Sequence, residues 1–441
     1  MSLLLDLAYA AAVPVAIPLL LRKSWKTGKY RTGIADRLGM GDEPLPPPLP
    51  RTKTLLLHCV SVGELNSVQT LIKRLLVADE NVRIVLTTGT DTGTDRARKL
   101  FPPSEQQRVF PLRFPFDFSF AVERLLDRTR PDASALVELE TWPNFLEIAH
   151  DRGIPIAILN GRISDRSFPR YRLIRPLMAG MLKKVSWIGA QTETIAHRFA
   201  ALGADDVQVI PTLKYDNAAI ADRVAGQEAL ARAMGLTAGM RLIVAGSTGP
   251  GEENSVLDMY TQLRSRFSDL RLAIVPRHPE VVPQVVRAIQ RRDLLPVMRT
   301  ERPDSLGSVP PLQSREVFVL DTMGELRKLY ALACAVFVGR SLIKKGGGGS
   351  DMIEVAALGK ASCFGPYTAN FAEVVEMLVE GGGAKTVQGD AELTQTVAQW
   401  LADPKQAAEM GKRAQELIRK QQDARATDQY VARLLEMLNS R

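Results

Sequence analysis

The chain has 441 residues, a length that indicates two or three domains. Hydrophobic residues make up 45% and charged residues 24%, a globular composition that excludes a disordered, collagen-like or disulfide-dense protein. The net charge of +8 is compatible with an anionic membrane surface, an anionic substrate or nucleic acid. Three scattered cysteines favour a reducing compartment, and four widely spaced histidines without a Cys-x-x-Cys motif argue against a structural zinc site.

The N-terminal segment is apolar and is followed by cations. Residues 3–21 are just long enough to cross a bilayer as a helix, although Asp6, Pro14 and Pro18 interrupt them. No Lys or Arg precedes this run, which disfavours a signal peptide, and a cluster of cations follows it. Positive charge beside an apolar segment marks the cytoplasmic side, so residues 1–30 are predicted to be a membrane anchor with a basic flank. A full span, a half-buried monotopic helix and a buried helix of a soluble domain remain alternatives.

The rest of the chain alternates short apolar runs with helical patterns after a proline-rich linker at residues 44–50. The apolar runs are rich in Val, Ile and Leu without strict alternation, which is typical of parallel strands buried on both faces. The candidate strands are Leu55–Val60, Val82–Thr88, Ala133–Val137, Pro155–Leu159, Ser186–Ala190 and Val207–Ile210, then Leu242–Ala245, Leu272–Val275, Val317–Leu320, Ala335–Val338 and Ala361–Phe364.

Repeated βαβ units of this kind predict an α/β fold with two doubly wound, Rossmann-like domains facing a cleft. The predicted N-terminal domain covers residues 31–215 and the C-terminal domain residues 216–404, with a helical stretch expected at 216–234. Residues 405–441 are predicted to form one or two long amphipathic helices. In open parallel sheets ligands bind beyond the carboxyl ends of the strands, so we expect the chemistry in the loops that follow them.

The sharpest motif follows the first strand, where Ser61-Val62-Gly63-Glu64 leads into a helix predicted to reach about Val77. A carboxylate in the first turn lies in the positive end of the helix dipole, which favours its ionised form. Such a carboxylate at a strand–helix junction is well placed as a general base. The alternative is that Glu64 only stabilises its helix.

Two further segments of the N-terminal domain carry charge. Glu138 and Glu140 follow a strand and would point to opposite faces if the strand continued, so that one acid faces the cleft. Lys214 lies at the domain junction, where a cation would neutralise a leaving phosphate, although most lone lysines are simply solvated.

In the C-terminal domain, a glycine-rich loop directly after the first strand contains a possible phosphate loop made of Ser247, Thr248 and Gly249. It is not a G-x-G-x-x-G motif, and the chain has no Walker A motif. These facts disfavour a dinucleotide oxidoreductase and a P-loop NTPase. Pro276 and Arg277 follow the next strand, and the guanidinium of Arg277 offers a planar set of donors suited to phosphate.

Two later segments are candidates for holding a nucleoside. Around Met323, Gly324 and Glu325 a strand enters a helix, so backbone amides there are able to hold a base or ribose, unless the segment is an ordinary helix cap. The glycines at 346–349 open a helix that contains Glu354, whose carboxylate suits ribose hydroxyls. A merely flexible loop is the alternative for these glycines.

Taken together and in this order, the segments resemble those of the 3-deoxy-D-manno-octulosonic acid (Kdo) transferases of lipopolysaccharide assembly. The resemblance extends over nearly the whole chain. It implies a GT-B glycosyltransferase fold and an inverting, metal-independent transfer of Kdo from CMP-Kdo to a lipid A precursor of the lipid IVA type. It also implies that the enzyme acts without a cofactor at the cytoplasmic face of the inner membrane. Nucleic acid is not an expected partner, because no motif for it is present.

By position, the resemblance makes Glu64 the general base, and Glu138 and Lys214 groups that stabilise the transition state. The residues that match the CMP-binding segments are Pro276, Arg277, Met323, Gly324, Glu325, Asp351, Met352, Ile353 and Glu354. The chain departs from the family pattern at Gly249, where the family usually has His, and at Ser350 and Asp351, where it has an amide-containing pair. Two other functions therefore remain open, namely a GT-B transferase that uses a different nucleotide sugar and a non-catalytic, membrane-tethered protein with a degraded donor site.

Overall fold

The computed structural model describes residues 5–7, 9–11, 33–41, 45–102, 108–304, 309–344 and 347–440. The chain divides into two compact units. The N-terminal unit comprises Met1–Asn217 and Ala424–Arg441, and the C-terminal unit comprises Ala218–Asp423. Most of the predicted anchor at 1–30 lies outside the described residues. None of the helices in the described part combines the length and the apolar character that a bilayer crossing requires.

Each unit is built on one seven-stranded sheet in which all paired strands are parallel. In the N-terminal unit the strand order is β3-β2-β1-β4-β5-β6-β7, and in the C-terminal unit it is β10-β11-β9-β8-β12-β13-β14. The strands are β1 Lys53–Cys59, β2 Val82–Thr88, β3 Val109–Arg113, β4 Ala133–Val137, β5 Ile156–Gly161, β6 Trp187–Ala190, β7 Val207–Val209, β8 Arg241–Thr248, β9 Leu270–Pro276, β10 Leu295–Met298, β11 Glu316–Val319, β12 Ala333–Val338, β13 Ser362–Phe364 and β14 Lys385–Thr386.

Helices connect the strands and cover both faces of each sheet. In the N-terminal unit they are Ile34–Arg37, Val62–Ser67, Gln69–Ala78, Asp91–Leu100, Ser119–Thr129, Pro143–Asp151, Phe168–Leu173, Arg175–Leu182, Glu193–Leu202, Lys214–Asn217 and Ala426–Asn439. In the C-terminal unit they are Gln227–Met234, Glu252–Leu263, Val282–Gln290, Leu326–Leu332, Ile353–Ala357, Ala372–Glu380, Asp390–Ala402 and Pro404–Gln422, with short 3₁₀ turns at Pro279–Val281 and Ala369–Phe371.

The predicted α/β class with two doubly wound sheets is confirmed, and each predicted strand coincides with an observed one. Three observed strands, β3, β10 and β14, are not predicted from the sequence, and all three lie at sheet edges. Pro111 lies within β3 and Pro296 within β10, and proline is tolerated in a sheet mainly at its edge. These prolines hide the strand pattern in the sequence.

Several predicted helices are interrupted in the structure. The helix after Ser61 ends at Ser67 and a second one begins at Gln69, because Val68 has non-helical angles. The stretch 216–234 is helical only at its two ends, in the last two residues of Lys214–Asn217 and in the helix Gln227–Met234, which Gly226 in the left-handed region starts. The C-terminal stretch forms two helices separated near Arg425, which also has a positive φ.

The last helix completes the core of the N-terminal unit. Its Tyr430 is fully buried beside Trp187, and Leu434 joins the same apolar cluster beneath β1 and β4. The Tyr430 hydroxyl accepts a hydrogen bond from the Asn160 backbone N–H at 2.8 Å and donates to the Gly189 carbonyl at 3.1 Å. A side chain at Gly189 would overlap the tyrosine ring, since its Cβ would lie 2.5 Å from Cε1. The helix is thereby fixed to the ends of β5 and β6.

Two described pieces of the N-terminal segment pack on the N-terminal unit. The Asp6 carboxylate accepts a hydrogen bond from the Ser119 backbone N–H at 2.9 Å and another from the Asn144 side chain at 2.9 Å. The Tyr9 hydroxyl donates to Asp117 at 3.1 Å. Asp117 in turn accepts the backbone N–H groups of Asn144 and Phe145, at the start of the helix Pro143–Asp151. Residues 5–7 and 9–11 therefore lie against the helix that follows Glu138 and Glu140.

Candidate active site

The winding of the N-terminal sheet reverses between β1 and β4. The chain leaves β1 toward β2 on one side and returns to form β4 on the other side. Ligands of open parallel sheets bind at the carboxyl edge where this reversal occurs. Glu64 follows β1 and Glu138 follows β4, so the topology brings these two predicted site residues together at that edge.

The Glu64 carboxylate is held by the turn that precedes its helix. Its Oε2 accepts the Val60 backbone N–H at 2.7 Å, and its Oε1 accepts the Ser61 hydroxyl at 2.9 Å. Ser61 caps the helix by accepting the Glu64 N–H, at 3.4 Å. This reciprocal arrangement is a variant of the capping box that the S-x-x-E sequence specifies. Only 9% of Glu64 is exposed, so the carboxylate is fixed and largely desolvated.

Burial raises the pKa of Glu64 to about 7, and the charge of Glu138 acts in the same direction against the hydrogen bonds from Val60 and Ser61. The helix terminus favours the ionised form of this carboxylate, but desolvation acts in the opposite direction and raises its pKa. Burial, followed by the charges of Glu64 and Glu138, also raises the pKa of Glu140 to about 7. Glu64, Glu138 and Glu140 thus form one electrostatically coupled group of acids.

Glu138 has an unusual backbone conformation, with a φ of 66°. Its N–H still donates to the Leu159 carbonyl at 2.8 Å, but the strand has ended at Val137. The expectation of alternating faces for Glu138 and Glu140 therefore does not apply. Non-glycine residues in the left-handed region carry strain and are concentrated at functional sites.

Lys214 begins the short helix Lys214–Asn217, which is tied to the helices after Glu64. The Asn217 side-chain amide donates to the Ser67 carbonyl at 2.6 Å, and its oxygen accepts the Thr70 hydroxyl at 2.6 Å. The Ser67 hydroxyl itself donates to the Glu64 carbonyl oxygen at 2.6 Å. The structure thus links the predicted cation-bearing segment to the helix of the predicted base.

In the C-terminal unit, the predicted nucleotide segments all follow neighbouring strands. Ser247–Gly249 ends β8, Pro276 and Arg277 follow β9, Met323–Glu325 follows β11, and the glycine-rich loop follows β12. These four strands are adjacent in the order β11-β9-β8-β12, and the winding reverses between β8 and β12. The segments therefore share one carboxyl edge, centred on the position where α/β sheets bind ligands.

Glu252 is the central structural residue of this edge and was not singled out from the sequence. It is fully buried, and its carboxylate accepts four backbone N–H groups. Oε2 accepts those of Gly249 at 2.7 Å and Arg340 at 2.5 Å, while Oε1 accepts those of Ser341 at 2.7 Å and Leu342 at 2.8 Å. One side chain therefore binds the loop after β8 to the loop after β12.

Further hydrogen bonds extend from these two loops. The Arg340 carbonyl accepts the N–H groups of Gly348 at 3.1 Å and Gly349 at 2.9 Å, and the Ser350 hydroxyl donates to the Ser247 carbonyl at 3.3 Å. The predicted glycine-rich loop is thus built on the residues that Glu252 holds. Gly346, its first glycine, lies outside the described residues.

The interpretation of Ser247, Thr248 and Gly249 as a phosphate loop is not supported by these contacts. The Gly249 N–H is already donated to Glu252, and the Thr248 hydroxyl donates to Glu253 at 2.7 Å. Ser247 has a φ of 54° and is buried. The Gly249 amide of this loop therefore already binds an anionic group, which is the carboxylate of Glu252.

The Met323–Glu325 turn is exposed at Met323 and Gly324 and is held in place by hydrogen bonds to Glu325. Met323 is 80% exposed and Gly324 has a φ of 90°, so the backbone at this turn faces solvent. Glu325 accepts two hydrogen bonds from Arg299, at 2.9 and 3.1 Å, and one from the Thr322 hydroxyl at 2.8 Å. Burial acts to raise the pKa of Glu325, but these bonds outweigh it and bring the pKa to about 2.

The segment 351–354 is split between core and surface. Met352 and Ile353 are buried in the core, so they offer a ligand only their backbone. Asp351 is exposed and accepts the Ile353 N–H at 2.9 Å. Burial and then Asp351 raise the pKa of Glu354 to about 7, while Arg327 and Arg277 oppose this rise. The Arg277 residue itself is exposed, and its backbone N–H donates to the Thr248 carbonyl at 3.1 Å.

Comparisons with known proteins agree with this architecture. The family model for 3-Deoxy-D-manno-octulosonic-acid transferase (kdotransferase) matches residues 32–217. The chain is 29% identical to the 3-deoxy-D-manno-octulosonic acid transferase of Haemophilus influenzae, over 98% of this chain and 97% of that protein. It is 28% identical to the enzyme of that name from Bordetella pertussis, over 92% of this chain and 94% of that protein.

A solved glycosyltransferase from Rickettsia africae superposes with a TM-score of 0.57 at 11% identity, covering 88% of this chain and 98% of that chain. At that identity the likeness concerns the fold alone. The two doubly wound units, each with its polar residues at the carboxyl edge, have the architecture of the GT-B fold. The chain is thus similar to Kdo transferases along nearly its whole length, and the family model matches the N-terminal unit.

Replacing Glu252 by Gln should destabilise the C-terminal unit. The new amide group would point its own N–H toward two of the four backbone donors, leaving them buried without an acceptor. We expect the free energy of unfolding of that unit to fall by roughly 2–4 kcal/mol, as measured by urea unfolding followed by circular dichroism.

Glu280→Gln is the matched control, because the Glu280 side chain is 75% exposed and the same unit carries it. It should leave the unfolding midpoint unchanged. An unchanged midpoint for Glu252→Gln as well would mean that the carboxylate does not hold the two loops together.

Proposed function

We propose that the protein transfers Kdo from CMP-Kdo to a lipid A precursor of the lipid IVA type, with inversion at the anomeric carbon and without a metal ion. The similarity to Kdo transferases over nearly the whole chain supports the reaction class. The observation that carries the mechanism is the buried Glu64 carboxylate at the carboxyl edge of β1, whose pKa is raised to about 7.

In this mechanism Glu64 is the general base. A sugar hydroxyl is a weak nucleophile until its proton is removed, and a base with a pKa near the working pH removes it most effectively. The oxygen of the acceptor alcohol forms a bond to the anomeric carbon of Kdo. The bond from that carbon to the phosphate oxygen of CMP breaks in the same displacement, and the alcohol proton passes to Glu64.

The charges that develop in the transition state suggest roles for the other charged residues. The anomeric carbon becomes positive in the transition state, and we assign its stabilisation to the Glu138 carboxylate, which the fold holds in a strained conformation beside Glu64. CMP departs as an anion, and Lys214 and Arg277 carry the positive charge that would stabilise it. These cations supply the electrostatic role that a metal ion has in other transferases.

The nucleotide is assigned to the carboxyl edge of the C-terminal sheet. The exposed turn at Met323 and Gly324 offers backbone groups to the base, and Arg299 fixes that turn through Glu325. The carboxylate of Glu354 is the acceptor proposed for the ribose hydroxyls, with Pro276 and residues 351–353 completing the surface. Bonds from those hydroxyls would favour the ionised form of Glu354.

The lipid acceptor places the reaction at a membrane. We assign the enzyme to the cytoplasmic face of the inner membrane, where residues 1–30 with their basic flank would hold it. A lipid-linked acceptor and an apolar N-terminal segment share the same bilayer, so that anchoring raises the local concentration of substrate.

Glu64→Gln should abolish transfer without harming the fold. The amide oxygen still accepts the Val60 N–H, but the side chain cannot take a proton. Purified protein incubated with CMP-Kdo and a tetraacyl lipid A precursor, followed by mass spectrometry of the lipid, should show added Kdo for the wild type and none for this variant. The exposed Glu123→Gln is the control and should transfer normally.

The same experiment separates the other two functions. Transfer from a UDP-sugar but not from CMP-Kdo would show a different donor, and no transfer by the wild type from any donor would indicate a non-catalytic protein. Normal turnover by Glu64→Gln would remove Glu64 from the role of base. Because burial raises the pKa of Glu64 in the folded protein to about 7, above the ordinary value for glutamate, the stability contributed by its neutral form is lost as pH rises through 7. The Gln variant should therefore be no less stable than the wild type above that pH.

The pH dependence of turnover should report the coupled acids. We expect kcat/KM to rise with pH through an inflection near 7 and then to level off, because the base must be ionised. Glu140→Gln removes a neighbouring negative charge and should move this inflection to lower pH. An inflection that stays in place would show that Glu140 does not act on the titrating group.

A further inference from the structure

The helix pair that follows β5 in the N-terminal unit exposes apolar side chains among arginines. Leu173 is 84% exposed, Ile174 is 46% exposed and Leu177 is 48% exposed. We call the surface made by Arg170, Arg172, Leu173, Ile174, Arg175 and Leu177 the 170–177 ridge. None of these six residues is among the site residues predicted from the sequence.

The ridge is rigidly supported by the core. Met178, Met181 and Leu182 of the second helix are buried in the apolar cluster that also contains Phe145 and Phe199. The Arg175 Nε donates to the Ala201 carbonyl at 2.9 Å, which ties the pair to the next helix. The exposed leucines are therefore presented by packed helices and do not belong to a loose loop.

The charge of this region has one sign. Residues 166–184 contain Arg166, Arg170, Arg172, Arg175, Lys183 and Lys184 and no Asp or Glu. The nearest acid in the sequence before them, Asp165, is ion-paired with Arg198. Lys184 is ion-paired with Glu147 of the helix Pro143–Asp151, so the positive charge beside the exposed apolar side chains is that of the arginines. Single exposed apolar residues are common on soluble proteins, but three together, interspersed with Arg170, Arg172 and Arg175, form a surface with both features that favour binding to an anionic bilayer.

The ridge also lies at the chemically relevant edge of the sheet. Its first helix follows the carboxyl end of β5, and β5 is the neighbour of β4, after which Glu138 and Glu140 stand. A bilayer that contacts the ridge would therefore adjoin the carboxyl edge that carries Glu64. This placement suits an acceptor whose acyl chains stay in the membrane.

We infer that the 170–177 ridge is a second membrane-contact surface, which inserts Leu173, Ile174 and Leu177 into the interface of a bilayer rich in anionic phospholipid while its arginines bind the headgroups. The inference concerns the N-terminal unit alone and does not depend on the identity of the donor or the base. It adds to the anchoring proposed for residues 1–30 a contact that orients the unit on the membrane.

Hydrogen–deuterium exchange of the full chain tests this inference locally, so that binding through the N-terminal segment does not obscure the result. Backbone amides at 168–177 should exchange more slowly on phosphatidylcholine vesicles that contain phosphatidylglycerol than in solution. Vesicles of phosphatidylcholine alone should give little protection. Protection that is equal on both vesicles, or absent from both, would overturn the inference.

The double variant Leu173→Ser/Leu177→Ser should lose this protection, and Arg170→Glu/Arg172→Glu should lose its dependence on phosphatidylglycerol. The matched controls lie on the helix Gln69–Ala78, where Val77 is 82% exposed and Lys73 is also exposed. Val77→Ser and Lys73→Glu should leave the protection unchanged. Protection that persists in both ridge variants, or that develops without vesicles through self-association, would refute a lipid contact. A test of transfer activity is not needed, so failure here leaves the proposed reaction unaffected.

Discussion

The site depends on how a buried carboxylate is satisfied at the carboxyl edge of a parallel sheet. A carboxylate that leaves water needs donors, and the loops between strands and helices supply them as backbone N–H groups. The N-terminal unit places Glu64 in this position and the C-terminal unit places Glu252. Both acids stand in the first helical turn that follows the first strand of their sheet, but they differ in the number of donors around them.

That difference separates a structural acid from a reactive one. Glu252 accepts four backbone N–H groups and connects two loops, so its charge is fully occupied within the fold. Glu64 accepts one backbone N–H and one hydroxyl, and other carboxylates lie nearby. The effect of desolvation therefore exceeds that of these two hydrogen bonds and raises the pKa of Glu64 to about 7. A carboxylate with this pKa is able to take up a proton at neutral pH. Burial thus serves rigidity in the C-terminal unit and, in the proposed mechanism, acid–base chemistry in the N-terminal unit.

The sequence predicts the interior strands because strands buried on both faces must be continuously apolar, whereas the edge strands β3 and β10 contain proline and are hidden. It also predicts where site residues lie, since the ends of such strands are marked by Gly, Ser and acids. It does not predict the partners of Glu252, because Arg340, Ser341 and Leu342 lie far along the chain. Nor does it predict the pKa of Glu64, because a helix terminus and desolvation act in opposite directions and only the fold gives their relative size. The sequence also does not predict the role of Arg299, because Arg299 directly follows β10, and that strand is not recognisable from the sequence.

The central claim is that the fold keeps Glu64 at the boundary between its neutral and ionised forms. The most direct measurement is the carboxyl ¹³C chemical shift of Glu64 as a function of pH in the full chain, assigned by its loss in Glu64→Gln. The account predicts a titration with a midpoint near 7. A midpoint close to the ordinary pKa of a solvated glutamate would show that desolvation does not govern this group and would contradict the proposed base.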